Sequence, residues 1–409
     1  MELSVRREPF GYLFFNHENE NLYALKTEGE VSFDDPSIFE IPSPSGEIKT
    51  PEKIHLRNSY PKSLNVLSAP TYVEFYPTLA CNEECRFCYI GDLLNKNGRP
   101  FPEEHLEGAM NNIANAGVFQ LVILGGEPLT YKPLPKLLDE AKRVGLVTSL
   151  STNGTFNREE VWQRVADYDV HLNVSFHSHV REIQDQIVRR KGGYDKTVDL
   201  IKYLLDSGIS PHVSTVITKQ NALYVVNTVK FLCEMGIQSM SLYHTQGIGF
   251  ARLYSDECIP FSTFKSLVLE SQDAAASYGS SVTSTTVFPF LIDNSLSFET
   301  SESLQNYIYG FPDGRRVVYV LNNGDALGTL MQDLKHPDVL GNIIRDPLAT
   351  IWHKSEHLTK IRSMYPKKAC LDCTHYEYCR GGALNNLSMN TEDLSIPQCP
   401  IFYPDLVTE

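Results

Sequence analysis

From residue 71 onward the chain repeats one kind of unit. Short apolar runs at Tyr72 to Tyr76, Leu121 to Leu124, Val147 to Ser151, His171 to Phe176, His212 to Ile217 and Ser239 to Tyr243 alternate with amphipathic stretches near 103–116, 134–144, 157–167, 194–207 and 222–235. Runs this short suit strands, and the longer stretches, with apolar residues every three or four positions, suit helices. Strict alternation of the two lays parallel strands side by side with right-handed crossovers. Six such units are too few to close an eight-stranded barrel. The expected core is therefore an α/β, open, partial (β/α)6 TIM-like barrel. In such a fold the chemistry collects where the C-terminal ends of the strands meet their loops, so the segments after each strand are the ones to search.

The chain has 409 residues, of which 42% are hydrophobic, enough for a sizeable core and for two or three domains. The expected boundaries are an N-terminal β-hairpin and linker over 1–70, the barrel over 71–290 and a small α+β domain over 291–409. The N-terminal hairpin is read from Phe10-Gly-Tyr-Leu-Phe-Phe15 and Leu22-Tyr-Ala-Leu around a polar turn, followed by prolines at 36, 42, 44, 51 and 61 that break regular structure. No run of eighteen apolar residues exists and the first residues lack the order of a signal peptide, which predicts a cytoplasmic protein with no membrane partner. A net charge of −14 with no basic tract argues against a nucleic-acid partner. Nine cysteines in a cytosolic chain read as metal ligands or thiols before disulfides.

The first strand runs into Cys81-Asn-Glu-Glu-Cys85-Arg-Phe-Cys88. Three thiolates this close suit one iron–sulfur cluster, and a four-iron cluster normally takes four. The next cysteine is Cys233, so one iron is left open to a substrate or cofactor. A structural metal knuckle is the plainer alternative. After the second strand comes Gly125-Gly126-Glu127-Pro128, in which glycines allow a close backbone approach to a ligand and the carboxylate can accept from an ammonium group. Ser151-Thr-Asn153-Gly154 ends the third strand with hydroxyl and amide groups, although the same tetrapeptide is ordinary turn chemistry. Ser175-Phe176-His177-Ser178 follows the fourth, with Val188-Arg189-Arg190-Lys191 beyond it, and Tyr243-His244 lies at the sixth.

In combination these motifs resemble the radical S-adenosylmethionine (radical SAM) enzymes. The resemblance implies that Cys81, Cys85 and Cys88 hold a [4Fe–4S] cluster whose open iron is chelated by the amino and carboxylate groups of SAM. Phe87 matches the aromatic residue of the family pattern. By the same resemblance Gly125, Gly126, Glu127 and Pro128 contact the SAM amino group, Ser151 and Asn153 the ribose, Ser175 the cofactor, and Arg189 its carboxylate through a bidentate fork. The chain departs from many peptide-modifying members by carrying His177-Ser178 where Asp-Gly is usual, which makes His177 a candidate substrate-side group, with a satisfied loop histidine as the plainer alternative. Gly247 to Arg252 echoes the family's G-x-A-R element. Tyr243 is read as facing the substrate cavity or as a wall residue, Cys258 as a loop thiol able to act on a substrate radical or as an idle one, and Cys233 as a core residue.

Further on, Cys370-x2-Cys373-x5-Cys379 is closed by Cys399, a complete set of four ligands. This region resembles the SPASM extension of radical SAM enzymes that modify peptides and proteins. Ala383 and Thr329 stand where two further cysteines are usual, and both losses fall on one of two auxiliary clusters. The resemblance thus implies a single auxiliary [4Fe–4S] cluster on Cys370, Cys373, Cys379 and Cys399, with zinc on the same thiolates as the competing reading.

The activity implied is reductive cleavage of SAM to methionine and a 5′-deoxyadenosyl radical that abstracts hydrogen from a residue of a ribosomally made precursor peptide. A crosslink, thioether, epimerisation or excision would result. The partners implied are the precursor peptide, an electron donor such as flavodoxin or ferredoxin and, where the N-terminal segment is only a degenerate recognition element, a separate peptide-recognition protein. Two other classes stay open: a radical SAM enzyme acting on a small molecule or sugar, and a non-catalytic, metal-stabilised binding protein.

Overall fold

The computed structural model describes residues 1–26, 31–33, 41–42, 48–59, 66–94, 98–245, 257–285, 312–330, 332, 334–363, 365–366, 372–373, 376 and 387–388. The Gly247–Arg252 element and Cys370, Cys379, Ala383 and Cys399 lie outside them.

The N-terminal segment is more than the expected hairpin. Strands β1 (Glu2–Glu8), β2 (Gly11–Asn16) and β3 (Leu22–Lys26) form an antiparallel meander. After two-residue strands β4 (Ile41–Pro42) and β5 (Ile48–Lys49), strand β6 (Lys53–Leu56) adds parallel to β1. Leu3, Val5, Tyr12 and Phe14 pack on one face of this sheet, while Leu13 and Phe15 join the main core from the other. Phe15 stacks on Phe119 with ring centroids 5.7 Å apart.

A buried ion pair fixes that junction. Arg6 donates to Glu8 at 2.6 Å and to the carbonyls of Ala69, Pro70 and Gly117, and its guanidinium lies over the Phe119 ring. Glu8 in turn accepts from Ser68. A buried charge is tolerable only when its partners satisfy it this fully.

The barrel strands are β7 (Tyr72–Phe75), β8 (Gln120–Ile123), β9 (Val147–Thr152), β10 (His171–Ser175), β11 (His212–Ile217) and β12 (Ser239–His244), parallel and in sequential order. Between them run α1 (Leu106–Asn115), α2 (Leu134–Arg143), α3 (Glu159–Asp167), α4 (Arg181–Val188), α5 (Gly193–Asp206) and α6 (Val225–Met235). The sheet does not stop at six. Helix α7 (Phe261–Ala276) leads to β13 (Ser281–Thr285), parallel to β12. At the other edge β14 (Val317–Val320) pairs parallel with β7 and turns into β15 (Asp325–Leu327) and β16 (Val339–Asn342). The result is one ten-stranded sheet in which the C-terminal hairpin continues the barrel wall. Helices α8 (Leu348–Lys354) and α9 (Glu356–Ser363) follow, and Trp352 donates to the carbonyl of Leu67.

Alternation along each strand sorts the two faces. Val73, Phe75, Leu121, Ile123, Leu150, Leu172, Val174 and Val213 are buried under the helices. The other face carries Glu74, Ser149, Ser151, Asn173, Ser175, His212, Ser214, Ser241 and Tyr243, half-buried or just enclosed, so the barrel interior is polar. Asn173 donates to Ser151 and accepts from Ser214, and His212 bonds Ser239 and Ser241, each at 3.2 Å or less. At the N-terminal end, the β2–β3 turn floors the interior. Glu20 accepts from Ser149 at 2.6 Å, and the carbonyl of His17 is 2.8 Å from His171 Nε2.

Candidate active site

The loop after β7 holds Cys81, Cys85 and Cys88, all reduced and half-buried. It is pinned from outside: the N–H groups of Glu84 and Arg86 donate to the carbonyls of Val188 and Ile187 at the end of α4. As a set the three sulfurs do not come within 4.8 Å of one another. Three thiols with no imidazole among them are the donor type that iron–sulfur clusters take. Burial pushes the Cys81 thiol up to about 12 and Cys88 to about 11, with Cys85 higher still, and the carboxylates of Glu83 and Glu127 add to the effect at Cys81. Such thiols give up their protons to a bound metal and to little else. The donor set therefore fits an iron–sulfur cluster.

Gly125 and Gly126 serve the fold first. A Cβ on Gly126 would lie 2.2 Å from the carbonyl oxygen of Ala80, and one on Gly125, whose φ is +140°, 2.5 Å from that of Thr78. The backbone they let approach is the cysteine loop itself: Gly126 N–H donates to Thr78 and Glu127 N–H to Ala80. Pro128 starts a short 3-10 turn whose Leu129 N–H is capped by the Glu127 carboxylate. Glu127 is buried and also accepts from Thr152 Oγ1 at 2.8 Å and Asn153 N at 2.7 Å. Burial raises its pKa to about 7 against those hydrogen bonds. A carboxylate offers roughly four acceptor positions, so one remains for a ligand.

Asn153 joins two loops. Its amide donates to Asn82 Oδ1 at 2.9 Å and approaches Cys81 Sγ at 4.0 Å, while its Oδ1 accepts from Thr155. Ser151 lies deeper, bonded to Asn173, and Ser175 ends β10 half-buried. Of the arginine pair, Arg189 caps α4 in a left-handed conformation and is exposed. Arg190 is the one that reaches the cysteine loop, donating to the Asn82 carbonyl at 2.8 Å and facing Glu83.

His177 is buried, with its ring edge-on to Phe87 at 4.8 Å. The Val216 N–H donates to its Nδ1, which leaves the proton on Nε2. Tyr243 sits half-buried on β12 within electrostatic reach of Tyr89. Cys258, read as a loop thiol, is enclosed. It is buried beside Glu257, which pairs with Arg86 of the cysteine loop. Cys233 is buried on α6, as a core residue should be.

Sequence reasoning passed over several groups here. Glu83 is buried among the cysteines, and burial lifts its pKa to about 8. Tyr76 donates to Glu74 at 2.6 Å and is 2.8 Å from the Tyr89 hydroxyl next to Cys88. The available signal was an acidic residue between two metal ligands and a tyrosine directly after the third. On the adjoining hairpin, Thr329 stands where a ligand cysteine is usual in SPASM domains. Its hydroxyl and that of Tyr319 both donate to buried Asp313, an oxygen-only cluster in which the described residues provide no thiolate. Cys373 is half-buried.

Residues 75–232 match the family model of the Radical SAM superfamily. This stretch is a radical SAM domain. Residues 313–374 of this radical SAM protein match the SPASM iron-sulfur cluster-binding domain. The first domain implies a [4Fe–4S] cluster with SAM, and the second an auxiliary cluster. The chain is 25% identical over 175 residues to the PqqA peptide cyclase of Rhodopseudomonas palustris, 42% of this chain and 46% of that protein, so it spans about half the length of such curated relatives. It is 25% identical over 328 residues to the mycofactocin maturase MftC of Mycolicibacterium smegmatis, covering 78% of this chain and 79% of the maturase. In fold it is similar to SuiB of Streptococcus suis, solved bound to its precursor peptide SuiA, with a TM-score of 0.75, 20% identity and 94% of each chain covered. No helix among the described residues is long and apolar enough to cross a membrane.

Proposed function

We propose that this radical SAM protein matures a ribosomally made precursor peptide, by removing a hydrogen atom from one of its residues and directing the bond change that follows. The observation that carries the reading is the unbroken sheet. Because β14 is hydrogen-bonded to β7, the SPASM hairpin lies beside the strand that delivers Cys81, Cys85 and Cys88. A substrate in the polar interior then lies at the end of the barrel that carries the radical-generating loop, in a chain whose SPASM domain implies an auxiliary cluster able to take its electron. The relation to MftC across most of both chains, and the fold shared with a peptide-bound enzyme, support a peptide as the substrate.

When bound, the cluster and SAM supply a one-electron reduction and a carbon radical able to take hydrogen from an unactivated carbon. The chain's own residues hold and shield that event. Cys81, Cys85 and Cys88 would hold the iron, the Gly125–Pro128 loop and Asn153 would position the cofactor against it, and Arg190 pins the cysteine loop through the Asn82 carbonyl. His177 presents Nε2–H and Tyr243 its hydroxyl at the same end of the barrel. The β2–β3 turn closes the other end, which keeps water from a reactive carbon centre. Cys370, Cys373, Cys379 and Cys399 hold the single auxiliary cluster. The electron donor is of the flavodoxin or ferredoxin class, a separate recognition protein presents the peptide if the N-terminal sheet does not, and the reducing cytoplasm is the compartment.

The test is anaerobic. Reconstituted protein with dithionite and SAM should form 5′-deoxyadenosine, and a candidate precursor peptide should leave with altered mass or altered residue stereochemistry. A Cys81/Cys85/Cys88→Ala variant should do neither. Cofactor cleavage without any change in peptides, but with conversion of a sugar or other small molecule, would overturn the peptide assignment.

A further inference from the structure

One group of side chains outside the barrel interior has chemistry that the radical reaction does not use. Glu2 on β1, His17 in the turn after β2 and His55 on β6 bring a carboxylate oxygen and two imidazole nitrogens within 4.8 Å of one another, all half-buried. His55 Nε2 is 2.6 Å from Glu2 Oε2, and His17 Nδ1 is 3.9 Å from the same oxygen. The two rings are stacked, 5.2 Å apart and 15° from parallel. Three segments of the N-terminal sheet thus bring three donor atoms together.

Geometry and donor chemistry agree. Nitrogen and oxygen ligands on a tetrahedral zinc ion, at bonds of about 2.0–2.1 Å, lie about 3.3 Å apart, and the two separations to Glu2 bracket that value. His17 Nε2 is 2.9 Å from Ser4 Oγ, the kind of partner on the far ring nitrogen that orients a ligating imidazole. Two cations are near: Lys53, which acts on Glu2 through space, and Arg57, which donates its Nε to Ser4 Oγ and turns its terminal nitrogens to the carbonyls of Val144 and Gly145. Two imidazoles and one carboxylate suit zinc or cobalt, where calcium and magnesium would ask for oxygens and copper(I) for sulfur.

We propose that Glu2, His17 and His55 form a binding site for a divalent cation of the zinc class, with water completing the coordination. The ion would fasten the β2–β3 turn to β1 and β6. That turn floors the barrel through the His17 carbonyl on His171 and Glu20 on Ser149, so the metal steadies the closed end of the substrate chamber. The site stands whatever the barrel's substrate proves to be.

The experiment uses untagged, cluster-loaded protein kept anaerobic and dialysed against zinc, with zinc and iron counted per chain by elemental mass spectrometry. Wild type should hold about one more zinc per chain than either His55→Ala or Glu2→Gln, at equal iron in all three, and zinc should raise Tm in wild type alone. Glu2→Gln keeps a hydrogen-bonding partner for His55, which separates loss of the site from loss of the fold. Equal zinc in wild type and both variants, at equal iron, would reduce the group to a hydrogen-bonded Glu–His pair and overturn the proposal.

Discussion

The Asn153 side-chain amide donates to Asn82 Oδ1 at 2.9 Å, and this bond couples the loop after β9 to the loop that carries Cys81. The same Asn153 is held from behind by Glu127, through its backbone N–H, and by Thr197, which donates to its carbonyl. Three strand ends therefore converge on one asparagine. Replacing Asn153 with Ala should weaken SAM binding about tenfold, the worth of roughly one buried hydrogen bond, while iron content stays at the wild-type level. Because Asn82 and Asn153 act as a pair, Asn82→Ala and the double variant should be no worse than the single change. Equilibrium dialysis with reconstituted protein reads both numbers, and simple additivity of the two substitutions would show the loops are not coupled.

Gly126 and Gly108 make a contrast within one family of substitutions. A methyl at Gly126 meets backbone at 2.2 Å and has nowhere to go, whereas one at Gly108, exposed on α1, meets nothing within 4 Å. Gly108→Ala should stabilise the protein by up to about 1 kcal/mol through helix propensity. Gly126→Ala should lower Tm and release iron, since the displaced partner is the Ala80–Cys81 backbone. Thermal melts together with iron counts decide it, and a Gly126→Ala protein with full iron and unchanged Tm would refute the account.

Buried acids make stability fall as pH rises, and Asp313 and Glu74 are two of them. Burial lifts both Asp313 and Glu74 to about 7. In the unfolded chain they ionise near their ordinary values, about 4. Between about pH 4 and pH 7 the unfolded state thus binds fewer protons than the folded one, and stability declines through that window. Asp313→Asn keeps an acceptor for Thr329 and Tyr319 but removes the charge, so its decline should be shallower. Urea midpoints of cluster-free protein at about pH 5 and about pH 8 test this; parallel slopes for the two proteins would rule Asp313 out as a source.

The barrel was legible because its signals are local. The runs at 72–76, 147–151 and 212–217 are short and rich in β-branched and aromatic residues, and the strands fall there within a residue or so. Strand β13 escaped because Ser281-Val-Thr-Ser-Thr285 has one apolar side chain and no alternation to read. Pairing of β14 with β7 joins segments about 245 residues apart, and nothing within either strand encodes that neighbour. The cysteine triplet announced the site by spacing, whereas Arg190 against Arg189 could not be decided from sequence: the left-handed turn at Arg189 selects which guanidinium faces Asn82. Gly125 and Gly126 were recognised as necessary, but what presses on them is the protein's own backbone.

His177 is the sharpest test of roles at the barrel mouth. Its Nδ1 is occupied by the Val216 N–H, and its backbone N–H and carbonyl are taken by Gln184 and Asn221. Burial drives its pKa down to about 3, so the ring stays neutral throughout the physiological range, with its proton fixed on Nε2. A ring in that state is a poor base and a well-oriented donor. His177→Ala should therefore reduce the rate of substrate conversion about tenfold or more, by the loss of one oriented hydrogen bond, while leaving the shape of the pH–rate profile between about pH 6 and pH 8 unchanged. His177→Gln, which can present an amide N–H from a similar position, should recover part of the rate. Were the profile instead to lose an ionisation in that range when His177 is removed, the imidazole would be titrating during turnover, and the fixed-donor role would fall.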